Sequence, residues 1–349
     1  MSRPRTRVLV VDDSAFARKV VRQILSSDRD LEVIGTARDG LDALEKIGEL
    51  KPDVVTLDLR MPNLDGLGVL RALQGRPGPR CIVVSTSDDQ SDLAIRALQA
   101  GAVDLVHKPT ALATDQLYEL STELVEKVKV ASRARQPEPE ATVRTPKDGL
   151  RSPSSPGSGI ALVVLGASTG GPQAVTRLLG ELPADFPVPL AIVVHIPVGY
   201  TTALSERLDA SSAVDVVEAY DGAFLRPGLV VVARAGMHLK LVGAPGDARV
   251  RLDVAPLDTA HRPAVDVLFR SAAETHGPRV LGVVLTGMGA DGLEGARAIR
   301  ERGGRIVTEA ESSCVVYGMP RAVDEAGLSD HSVPLGKVTE TIRRLTLAR

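Results

Sequence analysis

The feature that most constrains this chain is a repeated alternation of short apolar runs with amphipathic segments of helical period. In the first part of the chain the apolar runs cover residues 8–11, 31–37, 54–59, 82–84 and 103–106. Helical periodicity separates them at 15–25, 41–50 and 93–100. Strict alternation of strand and helix predicts a parallel sheet covered by helices on both faces.

The same alternation returns after residue 159. Strands are predicted at 161–165, 190–194, 280–285 and 305–308, and helices at 173–179 and 293–301. Between the two parts, from Ala131 to Gly159, the periodicity stops and prolines mix with serine, glycine and charges. We therefore predict two α/β domains, 1–130 and 159–349, joined by an extended proline-rich linker, 131–158.

Composition excludes several classes of protein. A net charge of −2 argues against general nucleic-acid binding, which needs a basic excess. No apolar run approaches the ~20 residues of a membrane span, and the apolar run after the basic start is too short for a signal peptide. Cys81 and Cys314 stand far apart, as expected for buried thiols in a reducing compartment. A cytoplasmic protein, not inserted in a membrane and monomeric, is expected.

Polar residues gather at the carboxyl ends of the first set of strands. Asp12 and Asp13 end the first strand, Asp58 the third and Ser85 the fourth, and Lys108 follows the fifth. Carboxylates converging with a lysine favour a Mg²⁺ ion beside a phosphoryl group, with one carboxylate as nucleophile. Each residue taken alone fits a helix cap or a surface charge better, but the set in this order does not.

In the second domain, Gly166-Ala-Ser168-Thr-Gly170-Gly-Pro172 lies between a predicted buried strand and a predicted helix. It fits the G-x-S-x-G pattern of a nucleophile elbow, in which the serine hydroxyl projects from a tight turn. The unpaired N–H groups of the helix start favour a developing negative charge there. The alternative is a serine that only caps the helix.

Two further residues follow predicted strands of this domain: His195 after 190–194, and Asp291 after 280–285. A serine nucleophile needs a base, and the base needs a carboxylate, so Ser168, His195 and Asp291 form a candidate triad. Their order differs from the serine, aspartate, histidine order of α/β-hydrolases. A strand-end histidine and a capping aspartate are the alternatives. His238, His276 and His331 lack metal-ligand spacing and receive no role.

A competing motif is Gly287-Met-Gly289-Ala-Asp-Gly292, which is a literal G-x-G-x-x-G between strand and helix, with Glu309 near the end of the next strand. This pattern is typical of dinucleotide binding. Asp291 would then repel the pyrophosphate at the helix N-terminus, so we rank this interpretation below hydrolysis.

The first domain resembles a response-regulator receiver domain. The resemblance rests on Val-Val-Asp12-Asp13-Ser, Leu57-Asp58-Leu-Arg-Met-Pro62 and Val106-His-Lys108-Pro109. It implies a flavodoxin-like (βα)5 fold with Asp58 phosphorylated, Asp12, Asp13 and Asp58 around Mg²⁺, Lys108 on the phosphoryl group and Ser85 as its sensor. Leu105 departs from the pattern, because receivers often carry a switch aromatic there.

The second domain resembles the CheB family of chemotaxis protein-glutamate methylesterases and glutaminases. The matching segments are Gly166–Pro172, His195-Ile-Pro-Val-Gly, His261-Arg-Pro-Ala-Val-Asp266, Leu285-Thr-Gly-Met288-Gly-Ala-Asp291 and Val316-Tyr-Gly-Met-Pro320. The resemblance implies a doubly wound, mostly parallel sheet. It makes Ser168 the nucleophile, His195 the base and Asp291 its orienting acid, with Met288 supplying an oxyanion N–H and Thr169 lining the site. The departures, at Val194 and in residues 233–238, leave the triad intact.

Together the resemblances imply an esterase that demethylates and deamidates a methyl-accepting chemoreceptor and is activated when a chemotaxis histidine kinase phosphorylates its receiver. No cofactor is expected in the catalytic domain. The alternatives are a non-catalytic signalling adaptor and an esterase of another chemosensory pathway.

Overall fold

The computed structural model describes residues 4–85, 91–108, 114–134 and 159–347, and the side chains of these residues except 114–120. The predicted linker lies almost entirely outside them, as does Pro109. The chain divides into two compact units, Met1–Ala134 and Arg135–Arg349. Within the described residues, no helix combines the length and apolarity needed to cross a membrane.

The first unit is built on a five-stranded sheet with every pairing parallel. Its strands are β1 (Thr6–Val11), β2 (Leu31–Ala37), β3 (Val54–Leu57), β4 (Arg80–Ser85) and β5 (Asp104–His107). They lie in the order β2-β1-β3-β4-β5. The order reverses between β1 and β3, so the residues after these two strands flank the crevice where such folds bind ligands.

In the part of the unit that the structure describes, the helices that cover this sheet are α1 (Ala15–Ser26), α2 (Gly40–Leu50), α3 (Gly66–Leu73), α4 (Ser91–Gln99) and α5 (Thr114–Arg133). Side chains cap the first three, because Ser14, Asp39 and Asp65 accept from backbone N–H groups in the first turns. Helix α5 continues three residues into the segment predicted as linker. Tertiary contacts stabilise these additional residues, since Ala131 is fully buried and the Arg80 guanidinium donates to the Ala134 carbonyl.

The second unit contains a seven-stranded sheet in the order β14-β13-β12-β6-β7-β9-β8. Its strands are β6 (Leu162–Ala167), β7 (Leu190–Val194), β8 (Asp215–Glu218), β9 (Leu229–Val232), β12 (Val280–Val284), β13 (Arg305–Glu309) and β14 (His331–Val333). All neighbours pair in parallel. The fold class predicted from sequence is confirmed.

Sequence periodicity missed several strands of this unit. A separate antiparallel hairpin joins β10 (His238–Val242) and β11 (Arg249–Asp253). Strands β8 and β14 lie at the two edges of the large sheet, where short runs with charged or polar residues are tolerated. Such strands lack the continuous apolar run that identified β6, β7 and β12.

The helices of the second unit are α6 (Gly171–Gly180), α7 (Thr201–Ala210), α8 (Val265–His276), α9 (Leu293–Glu301), α10 (Met319–Glu325) and α11 (Leu335–Leu347), with a short 3₁₀ turn at Gly277–Arg279. Strand β6 lies between β7 and β12, so its carboxyl end faces the reversal of strand order. Helix α8 packs closely on β6, because a Cβ on Gly166 would come within 2.7 Å of one Val265 methyl and closer still to the other.

We expect Gly166→Ala to destabilise the second unit by about 1–3 kcal/mol, because the added methyl has to displace Val265 from a packed core. Thermal unfolding of the full chain measures this. Gly180→Ala is the matched control, since its nearest neighbour would lie at 3.6 Å, an ordinary contact. Equal melting temperatures for the two variants would contradict the close packing of α8 on β6.

Candidate functional site

Ser168 occupies the turn between β6 and α6 and is half-buried. Its carbonyl accepts from the Gly171 N–H at 2.6 Å, which closes the turn, and its N–H donates to the Thr286 carbonyl at 3.0 Å. Gly170 has a φ of +79°, a left-handed conformation that favours glycine. The strand, turn and helix predicted around this serine are all present.

His195 directly follows β7, the strand beside β6. Ala167 is opposite Val194 in the parallel register, so Ser168 and His195 leave neighbouring strands at the same edge of the sheet. The backbone N–H of His195 donates to the Ala167 carbonyl at 3.0 Å, which ties the two strand ends together. The sheet therefore brings the candidate base beside the candidate nucleophile.

The His195 ring is oriented by Asp291, whose Oδ2 lies 2.9 Å from Nε2. The other ring nitrogen, Nδ1, is buried and has no hydrogen-bond partner among the described residues. With Nε2–H donated to the carboxylate, Nδ1 is the unprotonated nitrogen that can accept a proton. Ser168 and His195 are not hydrogen-bonded to each other here, and catalytic contacts of this kind often tighten only when substrate binds.

Two backbone groups at the start of α8 hold the Asp291 carboxylate. The Val265 N–H donates to Oδ2 at 2.7 Å and the Asp266 N–H donates to Oδ1 at 2.9 Å. Burial alone would raise the pKa of Asp291, but the hydrogen bond and charge of His195, with these two N–H groups, lower it. The carboxylate therefore stays ionised beside the histidine.

The Asp266 side chain in turn binds the start of α9, because its Oδ1 accepts from the N–H groups of Gly292 at 3.0 Å and Gly295 at 2.7 Å. Burial raises the pKa of Asp266, and the nearby Asp291 charge adds to that effect. The first turn of α9 is thus capped by a side chain of α8. The sequence predicts no role for Asp266, which stands there only as the last residue of the segment His261-Arg-Pro-Ala-Val-Asp266.

This reciprocal capping excludes the dinucleotide interpretation of the G-x-G-x-x-G motif. A pyrophosphate would have to bind the N–H groups at the start of α9, which Asp266 already occupies. Glu309, the acid that a ribose would require, is fully buried. The first glycine of the motif, Gly287, instead allows the loop before α9 to pack beside Ser168.

The loop after β12 packs beside the serine. A Cβ on Gly287 would come within 2.7 Å of the Ser168 Cβ and would collide with the Met319 sulfur, so only glycine fits. The next residue, Met288, is half-buried, and its N–H makes no hydrogen bond within the described part of the chain. Thr169 is buried, and its carbonyl accepts from the Thr286 hydroxyl at 3.0 Å. Among the described residues, therefore, the Met288 N–H has no partner, and it lies in the loop that packs against the serine.

His261 is a further site residue to which the sequence analysis gave no role. Its ring stacks on that of His195 with centroids 4.1 Å apart and planes inclined by 28°. His261 is exposed and precedes α8 by four residues. His238 is buried and accepts from the Ala264 N–H at 3.1 Å, a structural role.

In the first unit, the carboxylates of Asp12, Asp13 and Asp58 each offer an oxygen within 4.8 Å of the others. The Lys108 ammonium lies 2.5 Å from Asp12 Oδ2 and 3.0 Å from Asp58 Oδ2. Burial raises the pKa of Asp58, against the lowering effect of Lys108. Burial would lower the pKa of Lys108, but Asp12 and Asp58 raise it, so the lysine stays charged.

This acidic cluster suits a divalent metal ion. Two of its carboxylates are buried and the third, Asp13, is exposed, which leaves an open side for water or a phosphoryl oxygen. Ser85 is buried at the end of β4, and its carbonyl accepts from the Lys108 N–H at 2.7 Å. Leu105, the residue that departs from the pattern of the receiver resemblance, is fully buried.

Comparison with known proteins identifies both units. The family model of the CheB methylesterase matches residues 163–342, and that of the response regulator receiver domain matches residues 8–120. A protein-glutamate methylesterase/protein-glutamine glutaminase of Myxococcus xanthus is 61% identical over 339 residues, 97% of each chain. One of the same name from Thermotoga maritima is 39% identical and covers 97% of this chain and 98% of its own.

A solved structure agrees with the second unit. The crystal structure of the Thermotoga maritima CheB methylesterase catalytic domain is 39% identical, with a TM-score of 0.52, over 53% of this chain and 98% of that domain. The ranges matched by the two family models, 163–342 and 8–120, include both sets of strand-end residues described above. This chain therefore belongs to the CheB methylesterase family and carries a response-regulator receiver domain ahead of its catalytic domain.

Proposed function

We propose that Ser168, His195 and Asp291 hydrolyse glutamate methyl esters and glutamine side-chain amides of a chemoreceptor, and that phosphorylation of Asp58 activates them. The chain is a protein-glutamate methylesterase and protein-glutamine glutaminase of the chemotaxis type, at 61% identity to such a relative over nearly its whole length. The roles of the individual residues are our assignment. The domain limits 1–130, 131–158 and 159–349 remain a prediction from the sequence.

The observation that carries the proposal is the oriented imidazole beside the elbow serine. Asp291 holds Nε2 at 2.9 Å, while the buried Nδ1 has no partner in the described structure. His238, whose role is structural, has both ring nitrogens satisfied. A base with one nitrogen bound to a carboxylate and the other unpartnered, at the strand end next to that of a serine, is the arrangement that acyl transfer requires.

The reaction follows from these positions. Ser168 Oγ attacks the ester carbonyl carbon and its proton passes to His195 Nδ1, while the Met288 N–H donates to the oxyanion. The imidazolium, stabilised by Asp291, gives that proton to the methoxy oxygen, and methanol leaves. Water then attacks the acyl-enzyme carbonyl while His195 takes a proton from it, and His195 returns that proton to Ser168 Oγ as the bond between Oγ and the acyl group breaks and glutamate is released. On a glutamine side chain the leaving group is ammonia.

In the receiver, Asp12, Asp13 and Asp58 would hold Mg²⁺. The ion would neutralise phosphoryl oxygens during transfer from a kinase. Asp58 supplies the nucleophilic carboxylate and Lys108 a fixed positive charge, which the two neighbouring carboxylates keep protonated. Ser85 would contact the phosphoryl group and report its presence. A chemotaxis histidine kinase is the proposed donor, and a methyl-accepting receptor the proposed substrate.

We expect Ser168→Ala to abolish methanol release from methylated receptor membranes, because the nucleophile is removed. We expect Asp291→Asn to lower kcat by about 10³–10⁴-fold, because an asparagine favours the wrong histidine tautomer. Methanol is measured with the full chain, Mg²⁺ and a small phosphodonor. Asp258→Asn, an exposed change in the same unit, is the control. Persistent release by Ser168→Ala would refute the assigned nucleophile. No release by the wild type would favour the adaptor.

We expect Asp58→Asn to lose all stimulation by the phosphodonor while keeping the basal, Ser168-dependent rate, since an amide cannot form the acyl phosphate. The matched control is Asp65→Asn, an exposed helix cap at which asparagine serves as well as aspartate. The readout is methanol release with and without donor. Stimulation that survives in Asp58→Asn would move the phosphorylation site elsewhere.

We expect Gly287→Ala to lower kcat by at least about 10-fold with little change in KM, because the methyl pushes the loop carrying Met288 away from Ser168. Steady-state kinetics measure the two constants separately. Gly180→Ala serves as the control for the addition of one methyl. An unchanged kcat would show that this loop does not hold the oxyanion.

A further inference from the structure

Glu309 is a buried carboxylate that the proposed mechanism does not use. It is the last residue of β13, between the end of β12 and Val333 of β14, and its exposed fraction is 0%. Burying a charge is costly unless hydrogen bonds compensate it, and an apolar side chain would pack here without that cost. A carboxylate in such a place therefore calls for an explanation in terms of what it binds.

Its two oxygens bind two different loops. Oε2 accepts from the Thr286 N–H at 2.9 Å, and Oε1 accepts from the Ser313 hydroxyl at 2.9 Å. Ser313 also accepts from the Leu335 N–H at 2.8 Å, at the start of α11. Glu309 thus links the loop after β12 to the turn after β13.

Thr286 passes this constraint to the serine. Its carbonyl accepts from the Ser168 N–H at 3.0 Å, and its hydroxyl donates to the Thr169 carbonyl at 3.0 Å. The same hydroxyl accepts from the Val316 N–H at 2.9 Å. Thr286 immediately precedes Gly287 and Met288. It is therefore hydrogen-bonded to the turn that carries Ser168 and also belongs to the loop that carries Met288.

We propose that Glu309 is a positioning residue for the hydrolase: through the Thr286 N–H it holds the elbow of Ser168 and the loop of Met288 at the separation that the reaction requires. This inference rests on the proposed function, because it assigns Glu309 a task only if Ser168 is the nucleophile. Glu309 touches neither substrate nor reacting atoms and acts only through Thr286.

The protonation of Glu309 supplies a readout specific to this role. Burial raises its pKa to about 7, against the lowering effects of the Thr286 and Ser313 hydrogen bonds and of Arg177. Arg177 on α6 and Cys314 in the adjoining turn are the ionisable side chains that act on it most. Its neighbours in the loop after β12 and on β14, Thr286 and Val333, are not ionisable. Ionisation strengthens the bond to Thr286, since charge-assisted hydrogen bonds are about twice as strong as neutral ones.

The effect on stability has the opposite sign. The pKa of Glu309 is raised above 4.5 in the folded protein, so the folded state binds the proton more tightly than the unfolded state. Its contribution to stability therefore falls as the pH rises from about 4.5 to about 7. A positioning role predicts that the ionised carboxylate speeds the reaction while it lowers the melting temperature, whereas a purely structural role predicts that both change together.

The experiment measures the rate at which a fluorophosphonate labels Ser168, followed by mass spectrometry of its peptide, in the full chain with Mg²⁺ and a small phosphodonor. Glu309→Gln keeps an acceptor for Thr286 without charge, and Glu309→Met removes both acceptors at similar size. Glu301→Gln, an exposed change at the end of α9, is the control. Thermal unfolding of every variant is recorded at each pH.

We expect Glu309→Met to label about 10- to 100-fold more slowly than wild type. Glu309→Gln should match wild type at acid pH and fall behind it as the pH rises through about 7, while melting at a higher temperature than wild type above that pH. A wild-type to Glu309→Gln rate ratio that is flat with pH, or a Glu309→Met variant that labels normally, would overturn the inference. Failure to label Ser168 in wild type would instead refute the proposed nucleophile, and the inference with it.

Discussion

The contact on which the catalytic unit depends is the bond between His195 and the Asp291 carboxylate. That carboxylate also accepts two N–H groups from the start of α8, so a single side chain joins the end of β7, the loop after β12 and a helix. Hydrogen bonds to the charged form compensate for its burial and keep it ionised. Without it the imidazole would have no fixed orientation, and the serine turn beside it would lack an oriented base.

Both units stabilise carboxylates that are partly removed from water, but they do so with different groups. Each gathers carboxylates at the reversal of strand order in a parallel sheet, where they are partly removed from water. In the receiver, the ammonium group of Lys108 compensates Asp12 and Asp58, which suits the phosphorylation proposed for this site. In the catalytic unit, rigid backbone N–H groups compensate Asp291, which suits a site that must remain preorganised through each turnover.

The residues that sequence reasoning overlooked act through other residues. Asp266 resembles any acid in a first helical turn, and nothing in the chain order shows that it caps α9, 26 residues away. His261 stands in an exposed segment, so only the folded chain brings its ring onto His195. Glu309 was noticed for its place after a strand, but as a ribose ligand. Its complete burial and its bond to Thr286 required the neighbouring strands to be in place.

The sequence by itself determined the two α/β units, their parallel sheets and the strand-end positions of Ser168, His195, Asp291, Asp12, Asp13, Asp58 and Lys108. Hydrophobic periodicity is a local property, and residues that follow parallel strands must meet at one edge. Only the tertiary structure decided which groups compensate one another: Asp291 with α8, Asp266 with α9 and Glu309 with Thr286. Those partners are distant in sequence, and burial, which makes each contact necessary, exists only once the strands and helices have packed.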